Sequence, residues 1–298
     1  MHVGMTLPVM EPDLWDRGAA TLESWARAVD EGPFSSLCFG ERMAFDNPET
    51  LTLLGAASAW TARVRLVTTV VVPQLHDPVM LAKALATADQ LCGGRLTAGL
   101  GVGGREEDYR AVRADLSTRT IAGLAQCATV MKQVWAGEHV GDAVRPVGPL
   151  PVQPGGPELL VGTMGPRTIR DAARWADGLA GVTLDLDVTA VQGLFEQARR
   201  AWAAEGRPEP RLTTSFWFAL DDGDGPAREQ VHRHLRHYMN WLPVELVDAM
   251  APTTGFAGTA EQLLDVLARF EAAGAHEVQL IPTSSDLGQL HQVADLLR

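Results

Sequence analysis

Two consecutive strand–loop–helix patterns at residues 64–109 constrain the fold of this chain more than any other feature of its sequence. Each apolar, β-branched run ends in polar or glycine-rich residues, PQLHD at 73–77 and GVGGREE at 101–107. Buried strands that alternate with amphipathic helices are typical of a parallel sheet covered by helices. Two such units in fewer than fifty residues indicate an α/β barrel. We expect functional residues in the loops that follow the strands, since these loops form the active sites of such barrels.

The same alternation continues through the rest of the chain and predicts an eight-stranded (β/α)8 TIM barrel with insertions, a single domain over residues 1–298. The predicted strands are apolar runs bounded by Gly and Pro, at residues 2–7, 34–39, 64–71, 95–101, 158–162, 178–180, 211–220 and 277–281. The predicted helices are amphipathic stretches, at residues 14–30, 48–61, 78–91, 118–135, 166–175, 188–205 and 259–273. Residues 137–157 and 221–254 are predicted to be insertions, and the second contains the helix-like stretch HRHLRHYMNW.

Composition excludes several kinds of partner. The 298 residues, 46% of them hydrophobic, suffice for one large core, and the net charge of −12 argues against a nucleic-acid surface. The sequence has no apolar run of membrane-spanning length and no signal-peptide pattern, so we expect a cytoplasmic protein without a membrane partner. Cys38, Cys92 and Cys127 are spaced for neither a disulfide framework nor a zinc site.

A group of histidines raises the possibility of a metal site, but its spacing argues against one. His234 and His237 are three residues apart, and His232 lies off their helical face. No carboxylate is spaced to complete a ligand set, so we expect no metal.

Aromatic residues concentrate near the seventh predicted strand and the insertion that follows it. Phe216 and Phe218 lie in the strand, and Tyr238 and Trp241 lie in the insertion. We expect these four residues to form the substrate pocket, with successive residues of 216–218 on opposite faces of the strand. Core packing is the alternative for most of them.

The segment LLVGTMGPRT at 159–168 runs from an apolar strand into glycines and then a proline suited to the first turn of a helix. Backbone N–H groups at 163–167, the hydroxyls of Thr163 and Thr168, and Arg167 or Arg170 are suited to holding a phosphate. An ordinary strand-to-helix turn is the alternative.

Three segments together resemble landmarks of the bacterial luciferase-like flavin-dependent monooxygenase superfamily, in order and in spacing. They are residues 64–109, the stretch LLVGTMGPRTIRDAARWADG and the stretch GTAEQLLDVLARFEAAGAHEVQLIP. The resemblance implies an α/β barrel that binds FMN or the deazaflavin F420 at the carboxyl ends of its strands, and a homodimer. It implies that the cofactor phosphate is held by Gly162, Thr163, Met164, Gly165, Arg167 and Thr168. It also implies that the flavin ring is lined by Thr68, Thr69, Gly101 and Gly103.

Four residues after the predicted strands are candidates for catalysis: Glu41, Arg42, His76 and Glu106. In several F420-dependent members of the superfamily, a histidine follows an acidic residue just after the second strand. Arg42 stands there in this chain, which weakens the case for an F420 dehydrogenase acting on sugars or alcohols. A structural alternative exists for each candidate: a Glu41–Arg42 salt bridge, a loop histidine capping the helix at Pro78, and an acid favoured at a helix start. Asp77, just before Pro78, is predicted to be the N-cap of that helix.

We therefore expect a monooxygenase that acts on an apolar or aromatic small molecule with O2 and with reduced FMN from a separate reductase. F420-dependent hydride transfer, with F420 reduced by its own reductase, is the alternative. A basic groove for the carboxylates of the F420 tail would come from Arg105, Arg167, Arg170 and Arg174. A flavin-binding protein without catalysis is a third possibility, which the eight strands and the intact 221–254 insertion argue against.

Overall fold

The computed structural model describes residues 1–142, 144–163, 165–222 and 225–298. Its strands are β1 (His2–Thr6), β2 (Ser36–Phe39), β3 (Arg65–Val71), β4 (Leu96–Leu100), β5 (Glu158–Val161), β6 (Gly178–Ala180), β7 (Arg211–Leu220), β8 (Phe256–Gly258) and β9 (Glu277–Pro282). Its helices are α1 (Leu14–Arg17), α2 (Ala20–Glu31), α3 (Thr50–Trp60), α4 (Pro78–Leu91), α5 (Glu106–Ala111), α6 (Ile121–Trp135), α7 (Pro166–Ala172), α8 (Val188–Ala204), α9 (Ala227–Tyr238), α10 (Val244–Met250), α11 (Ala260–Ala272) and α12 (Leu287–Leu296). Short 3-10 turns occur at Pro73–Leu75 and Leu116–Thr118. No helix in the described ranges is both long enough and apolar enough to cross a bilayer.

All eight predicted strands are present, with ends that differ from the prediction by at most two residues. The prediction missed β8, because three residues carry no detectable periodicity. The single helix predicted at 14–30 is wrong: Gly18, with φ of +85°, separates α1 from α2. The prediction also missed the two helices α10 and α12.

The chain divides into two compact units. The first consists of Met1–Cys38, Gly181–Glu196 and Leu212–Arg298, and the second of Phe39–Ala180 and Gln197–Arg211.

In the first unit, β1, β9, β7 and β8 pair in that order and β2 joins β1 on its other side, each pairing parallel. Phe216 of β7 is fully buried and stacks on Phe270 of α11, with ring centroids 5.7 Å apart. The face of β7 that carries Phe216 therefore belongs to the core between strands and helices.

In the second unit, β3, β4, β5 and β6 pair in sequence order, also in parallel. The register of β3 against β4 shifts between Thr68 and Val71, and the Thr69–Val70 peptide bond is cis. The strands approach closely here: a Cβ atom at Gly99 would lie 2.1 Å from the carbonyl oxygen of Thr68. Only glycine fits at that position.

Polar side chains cap the helices that follow the strands. The carboxylate of Asp77 accepts hydrogen bonds from the N–H groups of Val79 and Met80, which confirms its predicted role as N-cap of α4. Thr259 and Gln262 form a reciprocal capping box at the start of α11. These caps explain why both helices begin where the sequence predicts.

The close approach of β3 and β4 predicts opposite effects for two glycine substitutions. Gly99→Ala should lower the free energy of unfolding by roughly 1–3 kcal/mol, because the added methyl group forces the two backbones apart. Gly193→Ala should raise it by about 0.5–1 kcal/mol, since Gly193 lies within α8 with nothing within 4 Å of the new methyl. Urea denaturation of both variants measures the difference. A Gly99→Ala variant as stable as the original chain would contradict the contact.

Candidate functional site

Glu41, in the loop after β2, ties that loop to the end of β3. Its carboxylate is almost completely buried, and one oxygen lies 2.7 Å from Nε2 of His76. The other oxygen accepts a hydrogen bond from the N–H of Val72 at 2.8 Å, and the N–H of Glu41 donates to the carbonyl of Val70. Glu41 and His76, two of the predicted catalytic residues, are thus brought together in the second unit.

The surroundings of His76 favour its charged form. Burial opposes protonation, but the hydrogen bond and charge of Glu41, together with the charge of Glu49, outweigh burial and raise the pKa of His76. The charged pair therefore stabilises the fold fully below the ordinary histidine pKa, and this contribution is lost as pH rises through the raised value.

Arg42 forms a second buried pair, with Asp108. Its Nε donates to Asp108 at 3.0 Å, and its guanidinium lies 4.6 Å from the ring centroid of Phe45. The other carboxylate oxygen of Asp108 accepts from the N–H groups of Met43 and Ala44. Glu41 and Arg42 thus each have a partner from another segment, His76 for Glu41 and Asp108 for Arg42.

The start of α5 separates an exposed acid from a buried one. Glu106 is about half exposed and pairs with Arg110 at 2.8 Å and with Arg119 at 3.7 Å. Two residues later the helix has turned inward, so Asp108 and Tyr109 are buried. The position of Glu106 at the start of a helix is enough to explain an acidic residue there. Its catalytic role stays a prediction. The prediction missed Asp108. The only signal for it in the sequence was its position next to Tyr109, on the inward face of the helix.

Tyr109 is part of the packing at this strand end. Its hydroxyl donates to the carbonyl of Val102 at 2.7 Å, and burial raises its pKa to about 12.

The residues predicted to line the flavin ring lie at the close approach of β3 and β4. Thr68 is buried and its hydroxyl donates to the carbonyl of Gly99, whereas Thr69 is half-buried. A Cβ atom at Gly101 would lie 2.6 Å from the side chain of Val70. Gly103 has φ of +75° and packs against Val72. Packing explains Thr68 and Gly101, and the contacts of all four residues with a cofactor stay predictions.

The predicted phosphate site lies between β5 and α7. Thr163 Oγ1 accepts a hydrogen bond from the N–H of Gly165 at 3.0 Å. A Cβ atom at Gly165 would lie 3.7 Å from Thr163 Oγ1 and 3.6 Å from Thr168 Oγ1, so the two hydroxyls flank the same position. Gly162 packs against Val70, and Arg167 is exposed. Met164 lies outside the described residues.

The four aromatic residues predicted to bind substrate divide into two groups in the first unit. Phe216 and Phe218 are fully buried on one face of β7. Tyr238 lies 5.7 Å from Trp217 and 5.8 Å from Trp241, centroid to centroid, in a cluster from which Trp241 remains 37% exposed. Core packing accounts for Phe216 and Phe218, and substrate contact stays a prediction for all four.

The histidines of the insertion bind carboxylates. His234 Nδ1 lies 2.5 Å from Glu11, both side chains being buried, and His232 lies 2.6 Å from Asp248. Among residues 1–142, 144–163, 165–222 and 225–298, no group of three His, Cys, Asp or Glu side chains is arranged to hold a metal ion. The prediction missed Glu11, because its partner is 223 residues away.

Substitution of Glu41 tests the electrostatics of His76. Glu41→Gln should lower the pKa of His76, because the larger of the two nearby charges is lost while the ring stays buried. NMR titration of the ring protons, assigned with His76→Gln, measures the change. Glu107→Gln, which removes an exposed acid at the start of α5, is the matched control. An unaltered His76 titration in Glu41→Gln would mean that the pair does not set the pKa.

Comparison with known proteins identifies relatives of this chain. Residues 1–277 match the family model described as luciferase-like monooxygenase. An uncharacterized protein of Mycobacterium tuberculosis is 36% identical over 162 residues, which cover 52% of this chain and 56% of that protein. An F420-dependent glucose-6-phosphate dehydrogenase of Nakamurella multipartita is 29% identical over 184 residues, 54% of this chain and 51% of the enzyme. The chain thus spans about half the length of these curated relatives.

Solved structures resemble the whole chain. Monooxygenase RslO1 of Streptomyces bottropensis has a TM-score of 0.80 at 23% identity, covering 100% of this chain and 97% of that one. An F420-dependent secondary alcohol dehydrogenase in complex with an F420–acetone adduct has a TM-score of 0.78 at 16% identity, with 100% of both chains covered. The oxygenating constituent of 3,6-diketocamphane monooxygenase of Pseudomonas putida, in complex with FMN, has a TM-score of 0.75 at 17% identity, covering 100% and 96%. These similarities confirm the predicted fold class, a closed eight-stranded parallel barrel with surrounding helices.

Proposed function

We propose that this chain, which belongs to the luciferase-like monooxygenase family, uses reduced FMN and O2 to oxygenate an apolar or aromatic small molecule. Family membership supports an oxidoreductase, and the choice of cofactor and reaction is our inference. When bound, reduced FMN supplies the electrons and the atoms at which O2 reacts. The side chains have to bind the cofactor, exclude water and hold protons in place.

The environment of Arg42 is the observation that favours oxygenation. Removing hydride from an alcohol or sugar requires a group that accepts the accompanying proton. Arg42 stands where several F420-dependent relatives have a histidine, and its buried guanidinium is held by Asp108. A guanidinium remains charged in proteins and cannot serve as a base. Arg42 therefore has a structural role, which suits a reaction that needs no base at this position.

The Glu41–His76 pair shapes the end of β3. Glu41 holds the N–H of Val72, and this fixes the backbone just beyond Thr69, which we assign to the flavin ring. His76 compensates the buried charge of Glu41. We assign both residues to positioning this strand end, while their direct participation in catalysis stays a prediction.

The described residues between β5 and α7 fit the phosphate of FMN. Two hydroxyls, those of Thr163 and Thr168, flank Gly165, and Arg167 adds an exposed positive charge two residues later. Hydroxyl and guanidinium groups are the donors that phosphates prefer. We assign the phosphate to these three side chains and to the neighbouring backbone N–H groups.

The aromatic cluster of Trp217, Tyr238 and Trp241 suits an apolar or aromatic substrate. Tyr238 packs between the two tryptophans, and Trp241 still exposes more than a third of its surface. Aromatic side chains favour aromatic partners in tilted or edge-to-face contacts. We assign substrate contact to Tyr238 and Trp241 in preference to Phe216 and Phe218, which the core already surrounds.

F420-dependent hydride transfer is the second candidate, and a groove in the second unit favours it. Arg170, Arg174 and Arg200 line a cavity of about 350 Å3 between α7 and α8. Two of these arginines were predicted to bind the carboxylates of an F420 tail, and the Nakamurella relative is named as an F420-dependent enzyme. Oxygenation remains our first proposal because Arg42 excludes the usual base.

Two partners follow from the proposal. An enzyme that consumes reduced FMN depends on a separate reductase, or on an F420 reductase if the second candidate holds. We also propose a homodimer, as the family resemblance implies.

Cofactor binding by the purified apoprotein tests the proposal. We expect FMN to bind more tightly than F420, and reduced FMN with the protein and substrate to consume O2. Arg167→Ala should weaken FMN binding by roughly fivefold, since an exposed charge pair contributes at most about 1 kcal/mol. Flavin fluorescence quenching and an oxygen electrode provide the measurements, and Arg63→Ala, which removes another exposed arginine, is the control.

The remaining outcomes separate the two candidates. A preference for F420 without O2 consumption, weakened by Arg170→Ala and Arg174→Ala, would replace oxygenation by hydride transfer. Binding of neither cofactor would overturn both.

A further inference from the structure

The loop that follows β4 is rich in glycine. Its residues 101–104, called here the glycine loop, read GVGG. Gly103 has φ of +75°, and a Cβ atom at Gly104 would meet nothing within 4 Å. Glycine gives a backbone more conformational freedom than any other residue. An ordered loop of this composition therefore depends on contacts from other parts of the chain.

Two side chains hydrogen-bond three successive carbonyl groups of this segment. The hydroxyl of Tyr109 donates to the carbonyl of Val102 at 2.7 Å. Nε of Arg119 donates to the carbonyl of Gly103 at 3.3 Å, and its Nη2 donates to that of Gly104 at 3.0 Å. The carbonyl and the N–H of a planar trans peptide point in opposite directions, so these bonds also fix the N–H groups that follow. The orientation of three peptide groups is thus set from outside the loop.

Arg119 is well suited to this contact. A guanidinium group keeps its charge and carries its donors in a rigid fork, so it can bind two neighbouring carbonyls with little loss of freedom. The Arg119 side chain is 29% exposed and also lies 3.7 Å from Glu106. Because charged donors form stronger hydrogen bonds than neutral ones, Arg119 contributes more to holding the loop than the hydroxyl of Tyr109 does.

Gln74, between β3 and α4, holds the backbone on both sides of Arg119. The residue is only 7% exposed, and its Nε2 donates to the carbonyls of Thr118 at 3.4 Å and Thr120 at 3.2 Å. The segment after β3 therefore anchors the residue that holds the loop after β4.

We propose that Arg119 is a positioning residue for the flavin ring, because it orders the glycine loop before the cofactor binds. This inference rests on the proposed function and on the expectation that Gly101 and Gly103 line the ring. A loop that is ordered in advance loses less conformational entropy on binding, and this raises the affinity. Arg119 needs no contact with the flavin, since its effect reaches the ring through the loop.

Binding of FMN and of riboflavin to the purified apoprotein tests this role, because riboflavin has the ring but no phosphate. Arg119→Ala should weaken the binding of both flavins by about tenfold, the effect of losing hydrogen bonds from a charged donor. Arg167→Ala should weaken the binding of FMN only. The matched control is Arg110→Ala, which removes an exposed arginine that also pairs with Glu106 and should change neither affinity. Flavin fluorescence quenching measures all four proteins.

NMR relaxation measures the order of the loop without any cofactor. In Arg119→Ala, the order parameters of the N–H groups of Gly103 and Gly104 should fall from about 0.85, typical of a rigid backbone, to below about 0.6. If Arg119→Ala does not fold, Arg119→Lys is the second variant, since it keeps the charge and the apolar stem but loses the fork. It should weaken both flavins by about threefold.

Three results would overturn the role of Arg119. One is an unchanged order of Gly103 and Gly104 in Arg119→Ala. Another is unchanged binding of both flavins by this variant. The third is weaker binding of FMN alone, which would make Arg119 a phosphate ligand.

Failure of the proposed function gives a different pattern. Flavin binding that responds to Arg119→Ala, without O2 consumption, would overturn oxygenation and leave the role of Arg119 in place. Binding of neither FMN nor F420 by the original chain would overturn both, even if the loop loses order in the variant.

Discussion

The candidate site of the second unit depends on how closely β3, β4 and β5 approach one another at their ends. There the side chain of Val70 lies against glycines, which have no side chain. Methyl groups of Val70 would be 2.6 Å from a Cβ atom at Gly101 and 2.8 Å from one at Gly162. Gly99 meets the carbonyl of Thr68 even more closely. The fold itself therefore requires these glycines, whether or not a cofactor lies against them.

The charged groups around the strand ends follow a second constraint: each buried carboxylate already has all its main partners. Glu41 binds His76 and the N–H of Val72, and Asp108 binds Arg42 and two further N–H groups. Removing water from a carboxylate is costly, and this saturation offsets the cost. A carboxylate so engaged holds the chain in place.

The sequence predicted the strands well because each is an apolar run bounded by Gly or Pro, a signal contained in a few neighbouring residues. It predicted Asp77 as a cap for the same reason. Side-chain partners that are distant in sequence left no such signal. Arg42 and Asp108 are 66 residues apart, and Gln74 donates a hydrogen bond to the carbonyl of Thr120, which is 46 residues away. The sequence placed Glu41, Arg42 and His76 after strands, where the structure has them, but their pairing depends on which way each side chain leaves the backbone. The same is true of β7. The alternation of side chains predicted that Phe216 and Phe218 share one face of the strand, but it did not show that this face belongs to the core.

The ionisable side chains at these strand ends differ in whether they can accept a proton, and this difference bears on the reaction. Arg42 keeps its charge, and Glu41 and Asp108 are hydrogen-bonded to their partners. The hydroxyl of Tyr109, with a pKa of about 12, donates a hydrogen bond to the carbonyl of Val102. His76 is a nearby group whose charge changes in an ordinary pH range, and its Nε2 lies within hydrogen-bond distance of Glu41. Such a set suits a reaction in which the cofactor does the chemistry and the protein keeps charges fixed. Hydride transfer from an alcohol would need a base from another part of the chain.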